Sequence, residues 1–172
     1  MPGQIYRLLA DDHARLDSLL RRAMTEAGAI DRTAYAEFRA GLLRHIGIEE
    51  KILLPTAQRL RGGEPLAMAA KLRLDHGALA ALLVPTPTPA IIAALRHVLA
   101  AHNVVEEGPE GVYECCERLA GAEAEALLAQ LQAAPAVPVA PHSDGPHVME
   151  TVRRALVRAG YDEGLLDEGH HV

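Results

Sequence analysis

One short pattern occurs twice in this chain and limits what the chain can fold into. His45-Ile46-Gly47-Ile48-Glu49-Glu50 and His102-Asn103-Val104-Val105-Glu106-Glu107 both read His-x-x-x-Glu-Glu. On an α-helix, residues four apart stand one above the other on the same face. Each copy therefore presents an imidazole and a carboxylate side by side. Two such helices facing each other bring two histidines and two glutamates into one interior. Burying carboxylates without a cationic partner is strongly unfavourable. A metal ion is the simplest partner that also uses the imidazoles.

The rest of the chain supplies helices to carry that pair. Residues 3–27 place Tyr6, Leu9, His13, Leu16 and Leu20 on one helical stripe, with Gly28 as the stop. Asp31 caps a second helix that carries Phe38, Leu42, His45, Glu49 and Ile52 and runs to Arg61, kinked at Pro55 and ended by Gly62-Gly63. Pro65 is expected to open a third helix, which aligns Leu72, His76, Leu79 and Leu83. Thr88 caps and Pro89 begins a fourth, with Leu95, Val98, His102, Val105 and Glu106 inward. Gly108-Pro109 predicts a kink or a π-bulge just after the carboxylate. Helix is expected to resume through Tyr113 to Leu119, followed by a short helix over 122–133. The Pro-rich stretch 135–146 reads as extended chain reaching roughly 35 Å at about 3.1 Å per residue. A last helix over 148–159 can then fold back along its own bundle or dock on a neighbour.

The helices repeat in pairs. Asp12-His13-Ala14-Arg15-Leu16 resembles Asp75-His76-Gly77-Ala78-Leu79, and each leads on to a Leu-Leu pair. Each Asp-His helix precedes a His-x-x-x-Glu-Glu helix. The expected architecture is an all-α, up-down-up-down four-helix bundle with a C-terminal helical extension. It predicts a symmetric site in which His13 with His45 and Glu49 mirrors His76 with His102 and Glu106.

Composition agrees and excludes other classes. The chain of 172 residues is rich in Ala and Leu, with 3% aromatics and no Trp, which favours helix over sheet. A net charge of -6 argues against nucleic-acid binding, which needs a positive surface. No apolar run approaches the roughly 20 residues that span a bilayer. The adjacent Cys115 and Cys116 cannot staple the chain, and the N-terminus lacks the regions of a signal peptide. Both features lead us to expect a cytoplasmic protein.

Four imidazoles and two carboxylates are too many donors for one ion and natural for two. If both carboxylates bridge, each metal has two nitrogens and two oxygens. A bridging oxide or hydroxide makes five ligands and leaves one octahedral position free. Mixed nitrogen and oxygen ligation with an open position suits iron, with manganese or zinc as alternatives. No thiolate is in the set, so a zinc-finger or iron–sulfur pattern is excluded.

His13, His45-x-x-x-Glu49, His76 and His102-x-x-x-Glu106, in that order on four helices, resemble the hemerythrin family, and most closely its HHE cation-binding branch. Myohemerythrin is a standard four-helix bundle, so part of the expected architecture comes with the resemblance. The resemblance covers about residues 1–120. It implies a non-haem di-iron centre, with His13 and His45 on one iron, His76 and His102 on the other, and Glu49 and Glu106 bridging. Two departures matter. Oxygen-carrying hemerythrins have His-x-x-x-His on the third helix, where this chain has Leu72. They also have an Asp one position further along the fourth helix, where the acid here is Glu106. The missing imidazole argues against simple reversible oxygen carriage. It favours sensing, peroxide or nitric-oxide chemistry, or iron handling.

On this reading residues 1–134 are a hemerythrin-like metal-binding domain, 135–146 a linker, and 147–172 a helix and tail. The protein binds or senses dioxygen or a related small oxidant, or handles iron. The alternatives are an oxidoreductase acting on peroxide or nitric oxide, and a bundle holding structural zinc. A metal- or oxygen-binding protein is expected ahead of an enzyme. A protein partner or a homodimer is expected through the C-terminal helix. The remaining polar residues get plainer expectations. Asp12, Glu50, Asp75 and Glu107 read as solvated or salt-bridged, with a hydrogen bond to a ligand histidine as the minority alternative. Tyr6 and Tyr113 read as core, Tyr6 with a second option of reaching a small ligand at the metals. His97 reads as solvated, and His142, His147, His170 and His171 as tail residues with a weak surface metal site as the lesser alternative. Arg153, Arg154 and Arg158 form a solvated face, and Cys115-Cys116 is inert unless a thiol pKa is lowered.

Overall fold

Four long helices carry the repeated pattern: α1 (Gln4–Arg22), α2 (Arg32–Ile48), α4 (Ala69–Leu82) and α5 (Pro89–Glu107). In the computed structural model, which describes residues 1–167, they form the up-down-up-down bundle. Shorter elements complete it: α3 (Leu54–Leu60), α6 (Val112–Ala120), α7 (Ala124–Ala133) and α8 (Val148–Arg158). Among the described residues there is no β-strand, only an isolated bridge between Met24 and Ile30.

The apolar stripes pack into two cores with a polar layer between them. One core gathers Leu16, Leu20, Phe38, Leu42, Leu79, Leu82, Leu95 and Val98. The other gathers Ile5, Leu9, Ile48, Leu53, Leu72, Val112 and Tyr113. His13, His45, His76 and His102 each interrupt their helix's stripe at the level where the two cores meet. The expected caps are in place: Asp31 accepts from Ala34 N at 3.0 Å and Thr88 from Ile91 N at 3.2 Å.

Three local expectations are corrected. The first helix stops at Arg22, because Thr25 and Ala29 close a tight turn on each other (N···O 2.9 Å) with Gly28 at φ +76° inside it. The third long helix starts at Ala69 rather than Pro65. The Pro65 carbonyl is taken by Arg61, and Ala69 N donates to Leu66 O instead. The π-helical turn lies at Glu49–Leu53 and not at Gly108-Pro109. There Leu54 N donates to Glu49 O, a step of five residues. A widened turn makes room for the Pro55 ring, which would press on the carbonyl of Lys51 in a regular helix.

The extended linker runs back along α2. Arg44 donates to Ala134 O, and the buried Arg39 donates to Ala140 O at 2.8 Å and to Leu83 O at 2.8 Å. The last helix thus returns to its own bundle, where Val152, Leu156 and Ala159 join the first core against α4. Lys71 fastens its end, donating to Ala159 O at 2.7 Å while its ammonium lies over the Tyr161 ring.

Candidate metal centre

All six residues singled out in the sequence meet in the polar layer, each no more than 5% exposed. Their donor atoms form two groups: His13, His45, Glu49 and Glu106, and Glu49, His76, His102 and Glu106. Within each group the atoms lie within 4.8 Å of one another. The two glutamates belong to both. Glu49 turns Oε1 toward His45 Nε2 at 3.2 Å and Oε2 toward His76 Nε2 at 3.1 Å. Glu106 turns Oε2 toward His13 Nε2 at 3.2 Å and Oε1 toward His102 Nε2 at 3.0 Å. Each carboxylate thus offers one oxygen to each half.

All four rings point Nε2 inward, because an acid on another helix holds each Nδ1. Asp12 Oδ2 holds His45 at 2.8 Å, and Glu50 Oε1 holds His76 at 2.6 Å. Asp75 Oδ2 lies 3.2 Å from His102, and Glu107 Oε1 lies 2.5 Å from His13. The four pairs run α1 to α2, the π turn to α4, α4 to α5, and α5 back to α1, which is a closed ring. Three of the acids also face cations: Asp12 faces Arg15 at 2.8 Å, Asp75 faces Lys71 at 2.6 Å and Glu50 faces Arg73 at 3.5 Å. These four acids are salt-bridged, one of the two readings expected of them, and each takes the hydrogen bond to a histidine that was the minority alternative. A position adjacent to a core residue lies about 100° round the helix, and in a bundle that is the seam with the next helix, not the solvent side.

Tyr113 is core, as expected, but its hydroxyl also reaches the site, which its place in the sequence did not suggest. On a continuous helix, seven residues beyond Glu106 would be about 10 Å away along the axis. Instead α5 ends at Glu107, the next residue Gly108 is extended at ψ 168°, and α6 begins at Val112. A Cβ on Gly108 would meet Val104 O at 2.5 Å, and one on Gly111 would meet Glu106 O at 2.6 Å. Only glycine allows so tight a reversal here, and it folds Tyr113 back over the site. Its hydroxyl donates to Glu49 Oε1 at 2.6 Å and lies 3.0 Å from Glu106 Oε2, 3.0 Å from His13 Nε2 and 3.2 Å from His45 Nε2. The signal was present in Gly108-Pro109-Glu110-Gly111, read as a bend rather than a reversal. Tyr6 stays outside: its hydroxyl donates to Glu107 O at 2.7 Å and its ring meets Tyr113 edge-on.

The electrostatics follow from the packing. Burial pulls the His45 imidazole down, but Glu49 and the bond to Asp12 outweigh it and lift the pKa to about 10. His102 is likewise lifted to about 10 against its burial by Asp75 and Glu106. Burial raises Glu49, yet His45 and His76 hold its carboxyl well below the usual range. The Tyr113 phenol is pushed well above its ordinary value by burial and then by the two carboxylates. Three buried donors, Glu49 Oε2, His76 Nε2 and Glu106 Oε1, make no hydrogen bond. A buried polar atom without a partner is costly, and a cation at their common centre supplies the partner for all three. The donor set and its orphaned atoms therefore fit metal ions.

The plainer expectations fare variously. His97 is exposed, against Tyr161. His142 and His147 are exposed and belong to neither donor group; His170 and His171 lie outside the described residues. Arg153 and Arg154 pair with Asp167 and Glu150 at the surface. Burial, then Cys115 beside it, pushes the Cys116 thiol up to about 12, which suits an inert core cysteine.

A bundle with a buried histidine–carboxylate layer defines a cation-binding helical protein. The family model of the hemerythrin HHE cation-binding domain matches residues 4–133, and the chain belongs to that family. No curated protein and no solved structure matches it. It is a metal-binding protein by family, and no helix is long and apolar enough to cross a membrane.

Proposed function

We propose that His13, His45, Glu49, His76, His102 and Glu106 hold two metal ions, bridged by Glu49 and Glu106. The observation that carries this is the division of each carboxylate, one oxygen toward each pair of imidazoles. Oxygen and imidazole donors without thiolate favour iron, with zinc or manganese as the competing ions. The ring of acids keeps each imidazole in the tautomer whose Nε2 lone pair faces the ion, and it raises the basicity of that nitrogen.

The loaded centre binds or senses a small oxidant such as dioxygen, or handles iron. A cleft of about 240 Å³ between α1 and α5 supports a small ligand; His13 and Asn103 lie in its wall. That is below the size of pockets that bury drug-sized molecules. Iron supplies redox chemistry and small-molecule binding when bound. This chain's residues hold it, exclude bulk water with two apolar cores, and balance its charge.

The test is metal analysis of anaerobically purified protein, followed by spectra on adding dioxygen, peroxide and nitric oxide. Near two irons per chain and a reversible response to dioxygen support binding or sensing. Turnover of peroxide or nitric oxide that vanishes in Glu49→Ala makes the protein an oxidoreductase instead. Full zinc occupancy in iron-rich growth makes the site structural.

A further inference from the structure

We infer that Tyr113 is a direct ligand of one of the two ions, the one held by His13 and His45, so that the two positions are not equivalent. This rests on the two-metal reading above and adds a residue to it. The argument is geometric. For bonds of about 2.1 Å at right angles, neighbouring donors on one ion stand about 3.0 Å apart. The Tyr113 oxygen lies 3.0 Å from His13 Nε2, 3.2 Å from His45 Nε2, 2.6 Å from Glu49 Oε1 and 3.0 Å from Glu106 Oε2. Those four atoms are the donors of the first position. Two of the spacings among them, His13 to Glu106 and His45 to Glu49, are 3.2 Å each. The five atoms are spaced as neighbours around one centre.

Hydrogen bonding alone accounts for this poorly. A phenol has a single proton to donate, and a carboxylate oxygen can only accept. Tyr113 faces two carboxylate oxygens, so one of them gains nothing from the hydroxyl. A cation among the five atoms serves them all. The phenolic proton leaves to solvent as the cation binds, as with other acidic ligands.

Tyr113 also breaks the twofold repeat. It comes from α6, beyond a reversal at Gly108 that the first helix pair lacks, and it touches both histidines of one half. The first position then has five protein donors and the second, with His76 and His102, has four. Open coordination falls on the second.

The test compares wild-type protein, Tyr113→Phe and Tyr6→Phe after loading with ferric iron, by metal content, visible absorption and resonance Raman. We expect near two irons per chain in wild type, with a visible phenolate-to-iron charge-transfer band and tyrosinate ring modes enhanced on exciting it. Tyr113→Phe loses the band and the modes while retaining iron, and Tyr6→Phe keeps both. Wild-type protein with two irons and no such band overturns the ligand assignment alone. A band that persists in Tyr113→Phe does the same. Wild-type protein that takes up no metal sinks the two-metal reading itself, and this inference with it. If Tyr113→Phe fails to fold, absence of the band in iron-loaded wild type still overturns the assignment, and a band kept in Tyr6→Phe supports it.

Discussion

Glu107 at the end of α5 meets His13 on α1, with Oε1 2.5 Å from Nδ1 across 94 positions of sequence. This contact closes the ring of four acid–imidazole pairs, and so joins the last helix of the bundle to the first. Glu107 and Glu50 are about a third exposed, so removing either should spare the fold. Glu107→Ala frees the His13 ring to turn, and Glu50→Ala frees His76. We expect each to weaken metal affinity about 10- to 100-fold, with far-ultraviolet circular dichroism unchanged. Competition against a chelator of known affinity measures the effect, and unaltered affinity in both variants would deny the ring a role.

On the proposed two-metal reading, the two shared carboxylates and the four imidazoles should behave differently on removal. Glu49 and Glu106 each face both halves, so Glu49→Ala or Glu106→Ala should drop metal content toward zero. His76→Ala faces one half and should leave about one ion per chain. Elemental analysis of the three variants separates these outcomes. One ion retained in Glu49→Ala would show that the bridge is not shared.

Stability of the metal-free protein should peak in mildly acid solution. The carboxylates around them lift His45 and His102 to about 10 in the fold from the ordinary 6.5 of the unfolded chain, so the native state binds the extra protons between those values. Their contribution is complete below about 6.5 and is lost as pH rises through about 10. Glu49 works in the opposite sense: its carboxyl is held well below 4.5, so its contribution is present above that value and lost as pH falls through the lowered one. Urea midpoints across this range, with and without metal, test the sign. The alkaline decline should vanish in the loaded protein, where ions stand in place of the protons.

The C-terminal helix is expected to be part of the fold and not a free arm. Leu156 is fully buried against the first core, so Leu156→Ala should destabilise by about 2–5 kcal/mol. Denaturant unfolding measures this, and a change near zero would mean that α8 is undocked in solution.

The sequence by itself determined the helices, the order of their polar residues and the six side chains that meet in the polar layer. Within one helix, position four always lies over position zero, so His45 with Glu49 and His102 with Glu106 were readable without coordinates. Asp31 and Thr88 were readable for the same reason, since a cap bonds only a few residues ahead. Relations between helices had no such local rule. Which acid meets which ring depends on the seams between neighbours, so the sequence left Asp12, Glu50, Asp75 and Glu107 as solvated or salt-bridged, with their histidine partners only a lesser alternative. The place of Tyr113 depends on a backbone reversal at Gly108, and the π turn moved to where Pro55 needed room. Spacing along a chain settles what shares a face. Only the packed bundle decides what each face meets, because that is set by how separate helices lie against one another.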